Sequence, residues 1–392
     1  GDFAFEEDAD AAVATLAFAE DELLVQSLPG AEESAVDAVF AEAGARVIDE
    51  IDEIDVKVLE TAPGQLNQTA EKLADSGLFE TFQKSYLYPP SVVPNDTLYT
   101  RQTHLPQIRA EQAWDISTGG EAVVIAVVDT GVDPDHPDLK DKIIGGRNIY
   151  DANDRFDDVM GHGTLVAGVA AAISNNAVGV TGIAWKSPIL AVRVGNAEGL
   201  SSSQHIAAGI LWAVGNGAKV INVSFAPLWA DKVVKSAAQQ AYQRGCLVVI
   251  SAGNAGGLNT ATGYEEVLFI GAITPENQIA SFSDKGPFVD LVAPGTSIRS
   301  TSFDGAYGMA NGNSFAAPIV VGVTALAWSV NPGLRPVTIR EAILSTTVDL
   351  GAAGEDDTFG RGAVDAAAAV QKAAQSFDPV DTTPPTMRVS TP

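Results

Sequence analysis

Apolar and polar positions change their period along this chain. ELLVQSL at 22–28 reads as a strand, and DVKVLET at 55–61 alternates apolar and polar residues, the period of a half-buried strand. Between them AEESAVDAVFAEAG carries apolar residues at helical spacing, and QLNQTAEKLADSG repeats that spacing up to Gly77. FETFQKSYLY reads as a last strand. Strand–helix–strand followed by helix–strand predicts a small ferredoxin-like α+β unit over residues 21–88. PPSVVPND then forms a stiff, extended connection. In the larger part, 89–375, EAVVIAVVD is almost continuously apolar, as a strand covered on both faces must be. ILAVRV, KVINVSF, CLVVISAG and VLFIGAI read as its partners, with helical patterns at 163–174, 201–216, 231–244 and 315–330. This predicts an α/β unit with a mostly parallel sheet flanked by helices. Residues 1–20 read as an acidic, Ala-rich tail and the Pro/Thr-rich residues 376–392 as a linker. There is no internal repeat.

Composition adds exclusions. The 392 residues carry a formal charge of −27. Eighteen acidic and two basic residues fall in the first 60, so most of the excess lies there. That sign argues against nucleic acid as a partner, because phosphate contacts need Lys and Arg. No apolar run is expected to span a membrane. The lone cysteine, Cys246, lies in an apolar run, reads as a buried small hydrophobe, and leaves no intrachain disulfide.

Three segments carry candidate chemistry. VVIAVVDTG ends an apolar strand on Asp129. VMGHGTLVAG places His162 between glycines at a helix start. MANGNSFAAP places Ser314 at another. Singly, each has an ordinary reading as a turn or cap residue. Together they place an acid, a base and a nucleophile at element junctions, where flanking glycines allow close approach. An α/β-hydrolase would need G-x-S-x-G with its histidine after the serine, and here the useful histidine precedes it. A dinucleotide fold needs its glycine motif directly after a strand, whereas GHGTLVAG follows an acidic loop.

DTG, HGT with VAG, and NSFAAP resemble the three active-site blocks of subtilisin-type serine peptidases, closest to the thermitase-like branch, with VINVSF and ISAGN in matching order. The resemblance covers roughly 90–370, and the preceding small unit is similar to that family's inhibitory propeptide. It implies an endopeptidase with Ser314 as nucleophile, His162 as base and Asp129 orienting the imidazole. Asn254 becomes an oxyanion donor; on its own it reads equally well as a turn residue. Substrate would pair with Ser224, Phe225 and Ala226. The P1 side chain would enter between these and Ser251, Ala252 and Gly253, over Gly263, with broad specificity and a bulky apolar preference. Glu265 and Glu266 could instead favour a basic P1 residue. A structural Ca2+ is implied at Asp96, Asp138 and Asn176 with the carbonyls of Ser174, Val178 and Val180. A second candidate, Asp151, Asn153, Asp154 and Asp157 with Asp158, could equally be a solvated acidic loop. The partners implied are protein or peptide substrates and the chain's own propeptide as intramolecular inhibitor, on a secreted monomer. Autocleavage is expected between Lys84 and Val93, and a precursor longer at both ends is expected too. Leu165, Asn313 and Ile319 depart from the family's usual His, Thr and His, and Asn313 touches oxyanion stabilisation. The competing reading from another class is a silenced peptidase kept as a binding module; the intact triad argues against it.

Overall fold

The structure, a computed structural model, describes residues 18–87 and 92–378. The chain divides into two compact units between Pro90 and Ser91. Most of the acidic tail and of the C-terminal linker lies outside the described residues, as do positions 88–91 of the expected cleavage window.

The first unit runs β1 (Phe18–Ser27), α1 (Glu33–Ala43), β2 (Arg46–Ile51), β3 (Val56–Glu60), α2 (Leu66–Ser76) and β4 (Phe79–Tyr86). Its antiparallel sheet has the order β2-β3-β1-β4. β1 buries Leu23 and Val25 on one face and turns polar residues outward, as the period of two requires. Val36 and Phe40 of α1 and Leu66 and Leu73 of α2 complete the core, where the Phe40 and Phe79 rings stack at 5.4 Å. β2 completes the βαββαβ order of the ferredoxin-like fold. The alternation misses it because it is an exposed edge whose register slips between Val47 and Asp49. β1 also begins at Phe18, inside the stretch read as tail.

The second unit opens with α3 (His104–Gln107) and α4 (Ala110–Ile116), then β5 (Val124–Asp129), β6 (Ile143–Asn148), α5 (His162–Ala171), β7 (Ile189–Arg193), α6 (Ser203–Gly215), β8 (Ala218–Val223), α7 (Lys232–Gln243), β9 (Leu247–Ser251), β10 (Val267–Ile273) and β11 (Leu291–Pro294). The hairpin β12 (Ile298–Ser302) and β13 (Ala306–Ala310) follows, then α8 (Asn313–Val330), α9 (Pro336–Leu344) and α10 (Ala366–Ala374). Seven strands pair in parallel in the order β11-β10-β9-β8-β5-β7-β6. Apolar residues cover both faces. One layer includes α5 and α8, with Val166, Ile319, Val323 and Trp328, and the other α6 and α7, with Ile210 and Val234.

α8 is the core helix. By length and composition alone it could cross a membrane, contrary to the expectation that no segment could, but almost all of it is buried inside the unit. It carries Pro318, which has no N–H to offer the carbonyl of Ser314 four residues back. The Ser224 hydroxyl donates to that carbonyl instead, at 3.1 Å. A helix defect therefore ties the start of α8 to the end of β8.

Candidate active site

Asp129 is the last residue of β5 and is wholly buried. Its Oδ1 accepts the Thr130 N–H and faces His162 Nδ1, both at 2.7 Å. His162 opens α5, and Gly163 lets that helix come this close: a Cβ there would collide with the Gly131 carbonyl and stand 3.0 Å from the Asp129 side chain. Burial disfavours the imidazolium. The Asp129 charge and hydrogen bond, with a further contribution from Asp158, outweigh it and raise the His162 pKa above its ordinary value.

Asp158 was grouped by sequence with a possible calcium loop. It caps the α5 start instead. Its Oδ1 accepts the Thr130 hydroxyl and the Met160 and Gly161 N–H groups, and its Oδ2 accepts the Thr164 N–H and hydroxyl. The Thr130 hydroxyl in turn accepts the Gly163 N–H at 3.0 Å. One carboxylate thus locks the Asp129 turn to the His162 helix.

Ser314 is the second residue of α8, buried beside Phe315, whose ring lies 5.4 Å from the His162 ring. The Ser314 hydroxyl donates to the Ser224 carbonyl at 3.4 Å. Asn222 donates to the Ser224 hydroxyl at 2.9 Å and so orders the strand end. Asn254 follows β9 and meets the same turn. Its Oδ1 accepts the Asn313 N–H at 2.9 Å and the Asn313 amide at 3.3 Å. That amide also donates to the Gly253 carbonyl, and Ser283 donates to Asn313 Oδ1 at 3.0 Å. With its oxygen occupied, Asn254 keeps its NH2 group for the cleft. Asn313 is therefore a buried clamp on Asn254, a role that its replacement of the family's threonine did not disclose.

A cavity of about 330 Å3 adjoins Asn254. Ala226, Gly253 and Asn254 line it. Ser224, Phe225, Ser251 and Ala252 are not among its lining residues, and the Ser251 hydroxyl donates to the Phe225 carbonyl at 3.4 Å. Gly263 does not line this cavity. It packs on the backbone of Phe288, while Leu258 and Asn259 form one wall, because residues 256–259 double back to pair with Phe282 and Lys285. Glu265 and Glu266 are also outside the lining, and Glu266 takes the Gln239 amide at 3.0 Å.

The calcium ligands separate into two cases. Asp96, Asp138 and Asn176 converge from three segments. Asp96 accepts the Asn175 and Asn176 N–H groups and the Thr181 hydroxyl, while Asp138 accepts the Asn176 amide at 2.9 Å and the Val180 N–H at 3.0 Å. Both carboxylates are buried, and among the described residues neither has a cationic partner. Both carboxylates thus hold residues 175–181 through hydrogen bonds, while Asn176 Oδ1 accepts the Val178 N–H at 2.8 Å, and among the described residues no group of three or more His, Cys, Asp or Glu stands together as metal ligands. The second set does not assemble. Asp151 pairs with Arg193, Asp154 pairs with Arg147, and Asn153 accepts the Arg155 N–H.

A seven-stranded parallel sheet flanked by helices, with Asp129 at the end of β5 and His162 and Ser314 at the starts of α5 and α8, gives an α/β unit of the type whose active site lies at strand ends. Comparison with known proteins narrows this. The subtilase family profile matches residues 120–362, and that of the fervidolysin N-terminal prodomain matches 5–80. A thermophilic serine proteinase of Bacillus sp. (strain AK1) is 36% identical over 350 residues, covering 88% of this chain and 86% of that protein. Thermitase of Thermoactinomyces vulgaris is 39% identical over 283 residues, covering 71% and 99%. A solved protease from Pseudoalteromonas arctica PAMC 21717 superposes with a TM-score of 0.65 at 31% identity, covering 72% of this chain and all of that one. The chain belongs to the subtilase family of serine peptidases and carries an N-terminal prodomain.

Proposed function

We propose that the protein is a secreted serine endopeptidase, synthesised with an inhibitory prodomain that it removes itself. The observation that carries this reading is the 2.7 Å bond between His162 Nδ1 and buried Asp129, on a histidine whose ring lies 5.4 Å from that of Phe315, the residue after Ser314. Asp129 holds the proton on Nδ1, which leaves Nε2 free as the base. Ser314 Oγ attacks the scissile carbonyl while Nε2 takes its proton and then delivers it to the leaving amine. Negative charge develops on the carbonyl oxygen, where the Asn254 NH2 and the Ser314 N–H at the α8 start would donate. Water repeats the sequence to release the acyl group.

Substrate backbone would extend alongside Ser224–Ala226, adding a strand. The cavity's Ala226, Pro227, Trp229 and Leu258 walls suit bulky side chains with little discrimination, hence broad specificity. Calcium would be held by Asp96, Asp138 and Asn176 with carbonyls of Ser174, Val178 and Val180. It would supply positive charge that ties three distant segments and takes no part in proton transfer. Residues 21–88 would inhibit in cis until cleavage between Lys84 and Val93. A prodomain that withholds activity suits export, and the acidic chain suits a soluble monomer acting on proteins rather than nucleic acid or membrane.

Ser314→Ala is expected to fold with an unchanged thermal midpoint and to lose casein hydrolysis. Hydrolysis at the wild-type rate would refute the assignment. Active enzyme whose sequenced N-terminus lies well outside 84–93 would refute the processing site.

A further inference from the structure

The cavity beside Asn254 has apolar walls and one charged group. Asp284 alone is ionisable among its lining residues, and it is 6% exposed. Its place is fixed from two sides: its N–H donates to the Gly253 carbonyl at 2.9 Å, and its Oδ1 accepts the Gly257 N–H at 2.8 Å. Its Oδ2 accepts no hydrogen bond and forms no ion pair among the described residues. That oxygen lies against Gly253, where a Cβ would collide with it, and Gly253 has φ +117°, a conformation that favours glycine. Unlike the buried unpartnered polar atoms of the unit, this oxygen keeps contact with solvent, so a cation entering the pocket that Asp284 lines can reach it and pair with it.

We propose that Asp284 makes this pocket a receptor for P1 lysine and arginine, alongside bulky apolar residues. The apolar stem of such a side chain would lie against Trp229 and Leu258 while its charged tip reaches Oδ2. Trp229 offers a firm wall, since its ring stacks on Phe288 at 4.4 Å. The inference rests on reading this cavity as the P1 site of a peptidase. It differs from a basic preference through Glu265 or Glu266, which do not line the cavity.

The test uses the full chain after it has removed its own prodomain, and two peptide p-nitroanilides that differ only in lysine or phenylalanine at P1. Asp284→Asn keeps an oxygen for the Gly257 N–H and removes the charge. It should lower kcat/KM for lysine about tenfold or more, the scale of a charged hydrogen bond, while phenylalanine stays within about twofold. Equal changes for both, or none for lysine, would overturn the proposal and leave Asp284 a merely structural residue. Should the variant not fold, calorimetry on the unaltered chain decides: benzamidine should bind about tenfold or more tightly than neutral benzamide, and equal binding or no benzamidine binding overturns the idea. If the prodomain-free enzyme cleaves neither anilide, the peptidase reading fails on its own, and the same calorimetric comparison on that enzyme still judges Asp284.

Discussion

Asn313 concentrates the residue-scale argument. It donates from both backbone and side chain to Asn254, so it sets where the proposed oxyanion donor points. Asn313→Ala should reduce kcat about tenfold or more with little change in KM. That is less than the roughly 10²–10³ lost when an oxyanion donor itself is removed. A change confined to KM would count against the clamp. Asp158 acts on His162 through charge as well as capping. The raised His162 pKa means that kcat/KM should climb with pH through a value above 6.5, as the imidazole loses its proton. The stabilising contribution of that pair is complete below the unfolded value and is lost as pH rises through the folded one. Asp158→Asn removes a negative charge, so the acid limb of the kcat/KM profile should move to lower pH; an unmoved limb would show that Asp158 has no electrostatic effect. Asp129, His162, Ser314 and Asn254 were legible in sequence because each stands in a short motif at an element end. Asp158, Asn313 and Asp284 were not legible in these roles. Their parts depend on contacts with residues up to 60 positions away, which no local pattern records.

At the scale of elements, the sheet centre was legible and its margins were not. β5, β7, β8, β9 and β10 are almost wholly buried and so read as unbroken apolar runs. β6 contains Gly145 and Gly146, and β11 has only four residues. Short, Gly-containing edges lack the pattern that betrays a strand. β11 joins α9 through Asp290, which accepts the Phe269 N–H at 2.8 Å and pairs with Arg340 at 2.5 Å. Burial pushes the Asp290 pKa up to about 6 against the opposing Arg340 charge. Arg340→Ala would leave that buried carboxylate unpaired, at a cost of about 3–5 kcal/mol. Because the folded pKa is raised, protonation relieves the site at low pH. The loss should therefore be larger at pH 8 than at pH 5, as denaturant unfolding at the two pH values would reveal. An equal loss at both would contradict the pairing.

The whole molecule joins a small folding unit to a large one, and the change from strand alternation to buried apolar runs already marked that division. The proposed calcium belongs to this scale because Asp96, Asp138 and Asn176 come from segments far apart in the chain. An ion bound only to the folded state at 100 times its dissociation constant adds about 2.7 kcal/mol. The thermal midpoint should be clearly higher in millimolar calcium than in EDTA, and equal midpoints would refute the site. The central claim is that Ser314 is a nucleophile activated by His162 and Asp129. Its most direct measurement is covalent labelling of the chain with a fluorophosphonate, followed by mass-spectrometric mapping of the modified peptide. The label is predicted on Ser314 alone, and it should disappear in Ser314→Ala and nearly disappear in His162→Ala. A label on another serine, or undiminished labelling of Ser314 without His162, would contradict it.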